Sequence, residues 1–179
     1  MYYRRGTSTL LLSALSTIMA RDMRALRREV EAYPDERMLW AQVPGLPNSA
    51  GTLVLHLAGN LQHYFGAVLN GTGYLRDRPA EFARRDVPRS ALLAELDAAA
   101  LAVCDALVTL DEEAANREYP EEVAGIRPVT GSFLVHLAVH FGYHLGQIDY
   151  HRRMVTGDSR GVDVLKVAEL AAGRRGDGK

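Results

Sequence analysis

Apolar residues recur at steps of three and four along four stretches of the chain, and almost nowhere at the step of two that a strand requires. Leu11, Leu15, Ile18, Leu26 and Val30 mark the first stretch and predict one amphipathic helix from about Thr7 to Ala32, halted before Pro34. The second begins at Asn48 or Ser49, both good N-caps just after Pro47, and runs to Asn70-Gly71, where a helix stop is encoded. The third follows Pro88 and carries Leu93, Leu96, Ala100, Val103, Leu107 and Leu110 as a seam. The fourth starts at Thr130 or Ser132 and continues without a proline to Gly157. A short helix is expected around Val162 to Ala172, and residues 173–179 read as a flexible tail.

Four long amphipathic helices define an all-α four-helix bundle, here a single domain over residues 1–172. The link from Gly71 to Val87, about seventeen residues, could span roughly 55 Å when extended and so can cross the bundle lengthwise. That crossover would make helices two and three parallel and helices two and four antiparallel, an up-down-down-up order. The later link from Asp111 to Val129 contains Pro120, Gly125 and Pro128 and reads as irregular chain or a short hairpin.

Composition narrows the function more than the fold. The chain has 179 residues, 47% of them hydrophobic, which suits one core. Lys plus Arg number 21 against 22 acidic residues, with no long run of either sign, so binding through phosphate neutralisation is not expected. Arg21, Arg24 and Arg28 share a face of helix one and are expected to be exposed. The lone cysteine, Cys104, has no internal disulfide partner, and the expected compartment is the cytoplasm. Beside the helix-three seam, it reads as a small buried hydrophobe. Arg4-Arg5 ahead of Leu10-Leu11-Leu12 imitates a secretory leader, but Ser13, Ser16 and Thr17 interrupt the apolar run. No stretch approaches the roughly 18 to 20 apolar residues that cross a bilayer.

All six histidines fall on two of the four helices: His56 and His63 on the second, and His136, His140, His144 and His151 on the fourth. At about 100° per residue, the latter form a row along one flank of the Leu134, Phe141, Leu145 and Ile148 stripe, with His144 nearest the core and His136 furthest out. Two imidazoles on one helix can share a cation only when they are neighbours on its surface, as at a spacing of four. His140 and His144 form the inward-facing pair. His56 or His63 would add a third ligand from the facing helix, but not both, since they are seven apart.

The stretch from Asn48 to Leu61, with its His56-Leu57-Ala58-Gly59-Asn60, resembles the DinB-like (YfiT-like) superfamily. So do Arg76-Asp77-Arg78-Pro79-Ala80-Glu81-Phe82 and His140-Phe141-Gly142-Tyr143-His144-Leu145-Gly146-Gln147. The resemblance covers nearly the whole chain. It implies a bundle with a long link between helices two and three, and the ligand set His56, His140 and His144 around zinc, nickel or a similar ion. It further implies a homodimer, and relatives that transfer or isomerise small molecules with a low-molecular-weight thiol.

Three neutral imidazoles leave a divalent charge uncompensated, so a coordinated water or thiol would be acidified towards a nucleophile at neutral pH. The leading expectation is a metal-dependent enzyme acting on small molecules by thiol transfer or addition; hydrolysis of small esters or amides, or metal binding without catalysis, is the alternative. Zinc peptidase helices place glutamate directly after the first histidine, whereas Phe141 follows His140 here. Asp149, Glu81 and Asp86 are the nearby acids, and the phase of Asp149 points it elsewhere. His63 and His136 are the candidate acid–base residues at the rim, or else solvated flank residues. Asn60 and Gln147 are placed to orient a ligand. Arg76, Arg78, Arg84 and Arg85 read as a solvated link.

Overall fold

The computed structural model describes residues 7–170; the expected tail at 173–179 lies outside the described residues. Helix α1 (Thr7–Glu31) leads through a 3-10 turn (Glu36–Trp40) to α2 (Ala50–Leu61), which continues as a π-helix over Gln62–Leu69. A six-residue helix, α3 (Arg78–Ala83), interrupts the first link. Helix α4 (Arg89–Thr109), the short α5 (Glu112–Ala115) and α6 (Thr130–Thr156) complete the bundle. Among the described residues there is no strand, and no helix is long and apolar enough to cross a membrane.

The helix ends follow the predicted chemistry. Ser49 caps α2 by accepting from Thr52 N, and Gly157, at φ 69°, closes α6 in the left-handed conformation that glycine adopts without penalty. Gly51 serves packing: a Cβ there would lie 2.7 Å from the Trp40 ring, which lies against the start of α2.

Helices α1 and α2 each pack against both α4 and α6. Contacts set the directions. Gln62 bonds Glu95 and Asn70 bonds the Ala102 carbonyl, so α2 and α4 run parallel. His56 meets His140 and Tyr64 meets Phe133, so α2 and α6 run antiparallel. Leu11 lies beside Gly131 and Glu29 pairs with Arg152, so α1 and α6 are parallel. The order is up-down-down-up, made possible by the 71–87 crossover.

Several expectations are corrected. The buried face of α4 is Leu92, Leu96, Ala99, Ala102, Val103, Ala106 and Leu107, while Leu93, Ala100 and Leu110 are only half-buried. Because α4 touches both α1 and α2, its buried face is wider than a single seam. Cys104 lies outside that face and is exposed. Arg21 is buried and paired with Asp22, and Arg28 donates to the Val162 and Asp163 carbonyls rather than facing water. Of the helix expected from Val162 to Ala172, the described residues, which end at Leu170, show only a 3-10 turn at Val167–Leu170. The 111–129 link does contain a small hairpin. Val123 and Ile126 exchange backbone bonds across Ala124-Gly125, both at positive φ.

Candidate metal centre

His56 from α2, and His140 and His144 one turn apart on α6, converge where the two antiparallel helices touch. Their candidate donor atoms all lie within 4.8 Å of one another, and these are the residues that sequence spacing and resemblance selected. His140 Nε2 is 3.3 Å from His56 Nε2 and 3.1 Å from His144 Nε2. A tetrahedral ion held at about 2.0–2.1 Å would set its nitrogens ~3.3–3.4 Å apart, so the two contacts of His140 are already near that spacing.

The outer ring nitrogens show which tautomers these contacts require. His56 Nδ1 is 2.9 Å from Glu81 Oε2, and His144 Nδ1 is 2.6 Å from Gln147 Oε1. A carboxylate only accepts, so His56 Nδ1 carries the hydrogen, and in the neutral ring Nε2 then carries the lone pair. The same assignment follows for His144 from the amide oxygen of Gln147. Both lone pairs face His140 Nε2. A hydrogen there could lie along only one of the two contacts and would leave the other lone pair without a donor, while a bare Nε2 would set its own lone pair against both. A cation relieves that opposition. His140 Nδ1 is buried with no protein partner, which leaves Nε2 as its one converging atom.

Electrostatics keep the donors available. Burial, followed by the neighbouring histidines, pushes His140 down to about 4. Burial likewise lowers His144 despite the opposing bond to Gln147. Both shifts favour the neutral form of the ring, the form that binds a cation. Burial works to raise the Glu81 carboxyl, but its bonds to His56 and Arg76 outweigh burial and hold it below the ordinary carboxylate range.

Sequence reasoning missed how Glu81 arrives. Asp77 caps α3 by accepting from Ala80 N, with Pro79 in the first turn, and this short helix sends Glu81 inward onto α2. Arg76, expected to be solvated, has a side chain only 10% exposed and grips Glu81 through Nε at 2.7 Å and Nη2 at 3.0 Å. Arg78, Arg84 and Arg85 are exposed as expected. The Asp-Arg-Pro cap is the signal that could have marked this unpredicted helix, but six residues carry too little periodicity to show which side faces in.

The remaining candidates separate. His63, on the π-helix, bonds Glu121 of the hairpin link at 3.0 Å through Nε2, while its Nδ1 is buried without a protein partner. His136 is exposed and stacks against Phe133 and His140. Asn60 is buried with Oδ1 unpartnered, making no bond to the three converging histidines. Asp149 points away, into Arg152 and Arg153. His151 is bonded through both ring nitrogens, to Tyr33 Oη and the Ala41 carbonyl, and is a core residue.

The fold and this site together define an all-α bundle with a three-histidine centre between its second and last long helices. The family model for the DinB superfamily matches residues 19–148, and the chain belongs to that superfamily, which is associated with metals. The comparisons with curated proteins and with solved structures return no significant match.

Proposed function

We propose that the chain is a metal-dependent enzyme acting on small molecules, with thiol transfer or addition as its reaction. The observation that carries the reading is the convergence of three imidazole nitrogens from two helices, a donor set that suits zinc or nickel and leaves coordination positions for a reactant. When bound, such a cation supplies Lewis acidity that favours the thiolate form of a thiol at neutral pH. His56 and His144 present Nε2 because Glu81 and Gln147 hold their Nδ1 hydrogens.

The neighbouring carboxylates argue for thiol chemistry over hydrolysis. Both Glu81 oxygens are engaged by Arg76 and His56, Asp149 is spent on arginines, and Asp86 is exposed. None is placed as a free base beside the centre. A thiol activated by the ion needs less help from such a base than water does. His63 with Glu121, and His136, remain the acid–base candidates. A cleft of about 600 Å³ borders the centre on the His144 side, lined by Leu46, Leu53, Tyr143, Gln147 and Met154, a volume suited to a small molecule and a low-molecular-weight thiol.

A homodimer in the cytoplasm completes the proposal. Its support is the exposed apolar stripe Val139, Tyr143, Tyr150 and Met154 on the outer side of α6, together with the single unpaired cysteine.

Untagged protein should retain about one equivalent of zinc or nickel per chain and catalyse addition of a thiol to an electrophile from a mixed panel. Turnover confined to esters or amides would replace thiol transfer by hydrolysis, and bound metal without turnover would leave a binding protein. Absence of metal from the wild type after reconstitution defeats the reading altogether.

A further inference from the structure

The Glu81 carboxylate reaches His56 only because position 59 has no side chain. Gly59 lies three residues after His56 on the buried α2, and a Cβ built there would sit 2.3 Å from Glu81 Oε1 and 2.9 Å from Glu81 Cδ, closer than such atoms can approach. The carboxylate enters that gap from α3 and is 6% exposed. Arg76 holds it by a two-pronged contact, Nε to Oε1 and Nη2 to Oε2, which sets the plane of the group. Oε2, so oriented, accepts the His56 Nδ1 hydrogen.

We propose that Gly59 and Arg76 are positioning residues of the metal centre, acting through Glu81 to fix the tautomer and ring orientation of His56. The inference rests on the reading of the three histidines as a cation site. It assigns the crossover link a task beyond connection. The link delivers the carboxylate that aims the α2 ligand, while the two α6 ligands need only their own helix and Gln147.

A glycine that merely lets α3 pack on α2 would have different consequences. Alanine is the better helix former, and the atoms it would displace are the far end of a flexible side chain. Gly59→Ala should therefore keep the fold while swinging the carboxylate off His56. Cation affinity and the His56 tautomer would then both change, which a glycine needed only for packing does not produce.

The test uses full-length, untagged wild type, Gly59→Ala, Glu81→Ala, Glu81→Gln and the Gly59→Ala/Glu81→Ala double variant. Each is titrated with Zn²⁺ against a chromophoric chelator, and the His56 tautomer is read from ¹⁵N-¹H correlation spectra of the metal-free protein. Gly59→Ala and Glu81→Ala should each weaken zinc binding by ~10- to 100-fold. Metal-free Gly59→Ala should still unfold cooperatively, with a midpoint at or below that of the wild type because the buried Arg76–Glu81 pair is disturbed. Glu81→Gln, whose amide oxygen can still accept from Nδ1, should lose less, and the double variant no more than either single change. Wild-type zinc affinity in Gly59→Ala, with His56 still protonated at Nδ1, overturns the proposal. If Gly59→Ala fails to fold, unchanged affinity in Glu81→Ala overturns it equally. A wild type that binds no zinc defeats the cation reading instead. The spectra then decide the orienting role alone, which stands if the Nδ1 hydrogen is lost in Gly59→Ala and falls if it is kept.

Discussion

His144 and His151 sit two turns apart on the same helix, yet they belong to opposite kinds of region. His144 has one ring nitrogen engaged by Gln147 and the other turned towards two more imidazoles. His151 has both nitrogens engaged by protein groups, and close to it Arg152 ties Glu29, Asp149 and the Arg160 carbonyl together. One region collects acceptors with too few donors; the other pairs charged and polar groups across α1 and α6, with Glu29 Oε1 left over. A histidine's role here is set by what its second nitrogen meets, not by residue type or helix face.

Damage should accordingly be separable. Arg152→Met leaves Glu29 buried without its counter-charge and should cost about 3–5 kcal/mol of stability by chemical denaturation, with metal content per folded chain unchanged. A loss of metal with intact stability would erase the distinction between the regions. His140→Ala should do the reverse. Cation affinity should drop by more than ~100-fold, beyond the range of changes to supporting groups, while the metal-free protein melts within a few degrees of wild type. Calorimetric titration beside a thermal melt checks both halves.

Smaller effects sharpen the contrast. Tyr33→Phe removes the hydroxyl that donates to His151 Nδ1 and strands a buried acceptor, so about 1–3 kcal/mol should be lost in denaturant titrations, again with metal binding intact. The weakest expected effect is on pH dependence. Burial lowers the His151 pKa, so its folded value lies below the unfolded one of about 6.5. Its contribution is present above pH ~6.5 and declines as pH falls through the depressed folded value. The stability gap between wild type and His151→Phe should narrow on acidification from pH 7.5 to 5; a gap that widens would contradict the neutral, doubly bonded imidazole.

The sequence marked what depends on long period and local chemistry. Ser49, Pro88 and Gly157 bracket helices, the four-residue step of His140 and His144 puts both rings on one face, and the 71–87 link is long enough to reverse the usual order. It was silent where a side chain's direction depends on a partner far along the chain. Glu81 and Arg76 look like ordinary charges until α3 is docked, and His63 has no visible partner until the hairpin brings Glu121 to it. Cys104 and the alanines of α4 were misread because small residues say little about a helix that faces two neighbours. The π-helix over Gln62–Leu69 left no signal in the periodicity.

The three rings are drawn from positions 84 residues apart in the chain and from rods that run in opposite directions. An ion seated among them would work as a rivet, fastening segments that the backbone joins only through a long detour. Occupancy would then be written into the melting curve, which should climb with the logarithm of free metal and gain about 2.7 kcal/mol at a hundredfold excess over Kd.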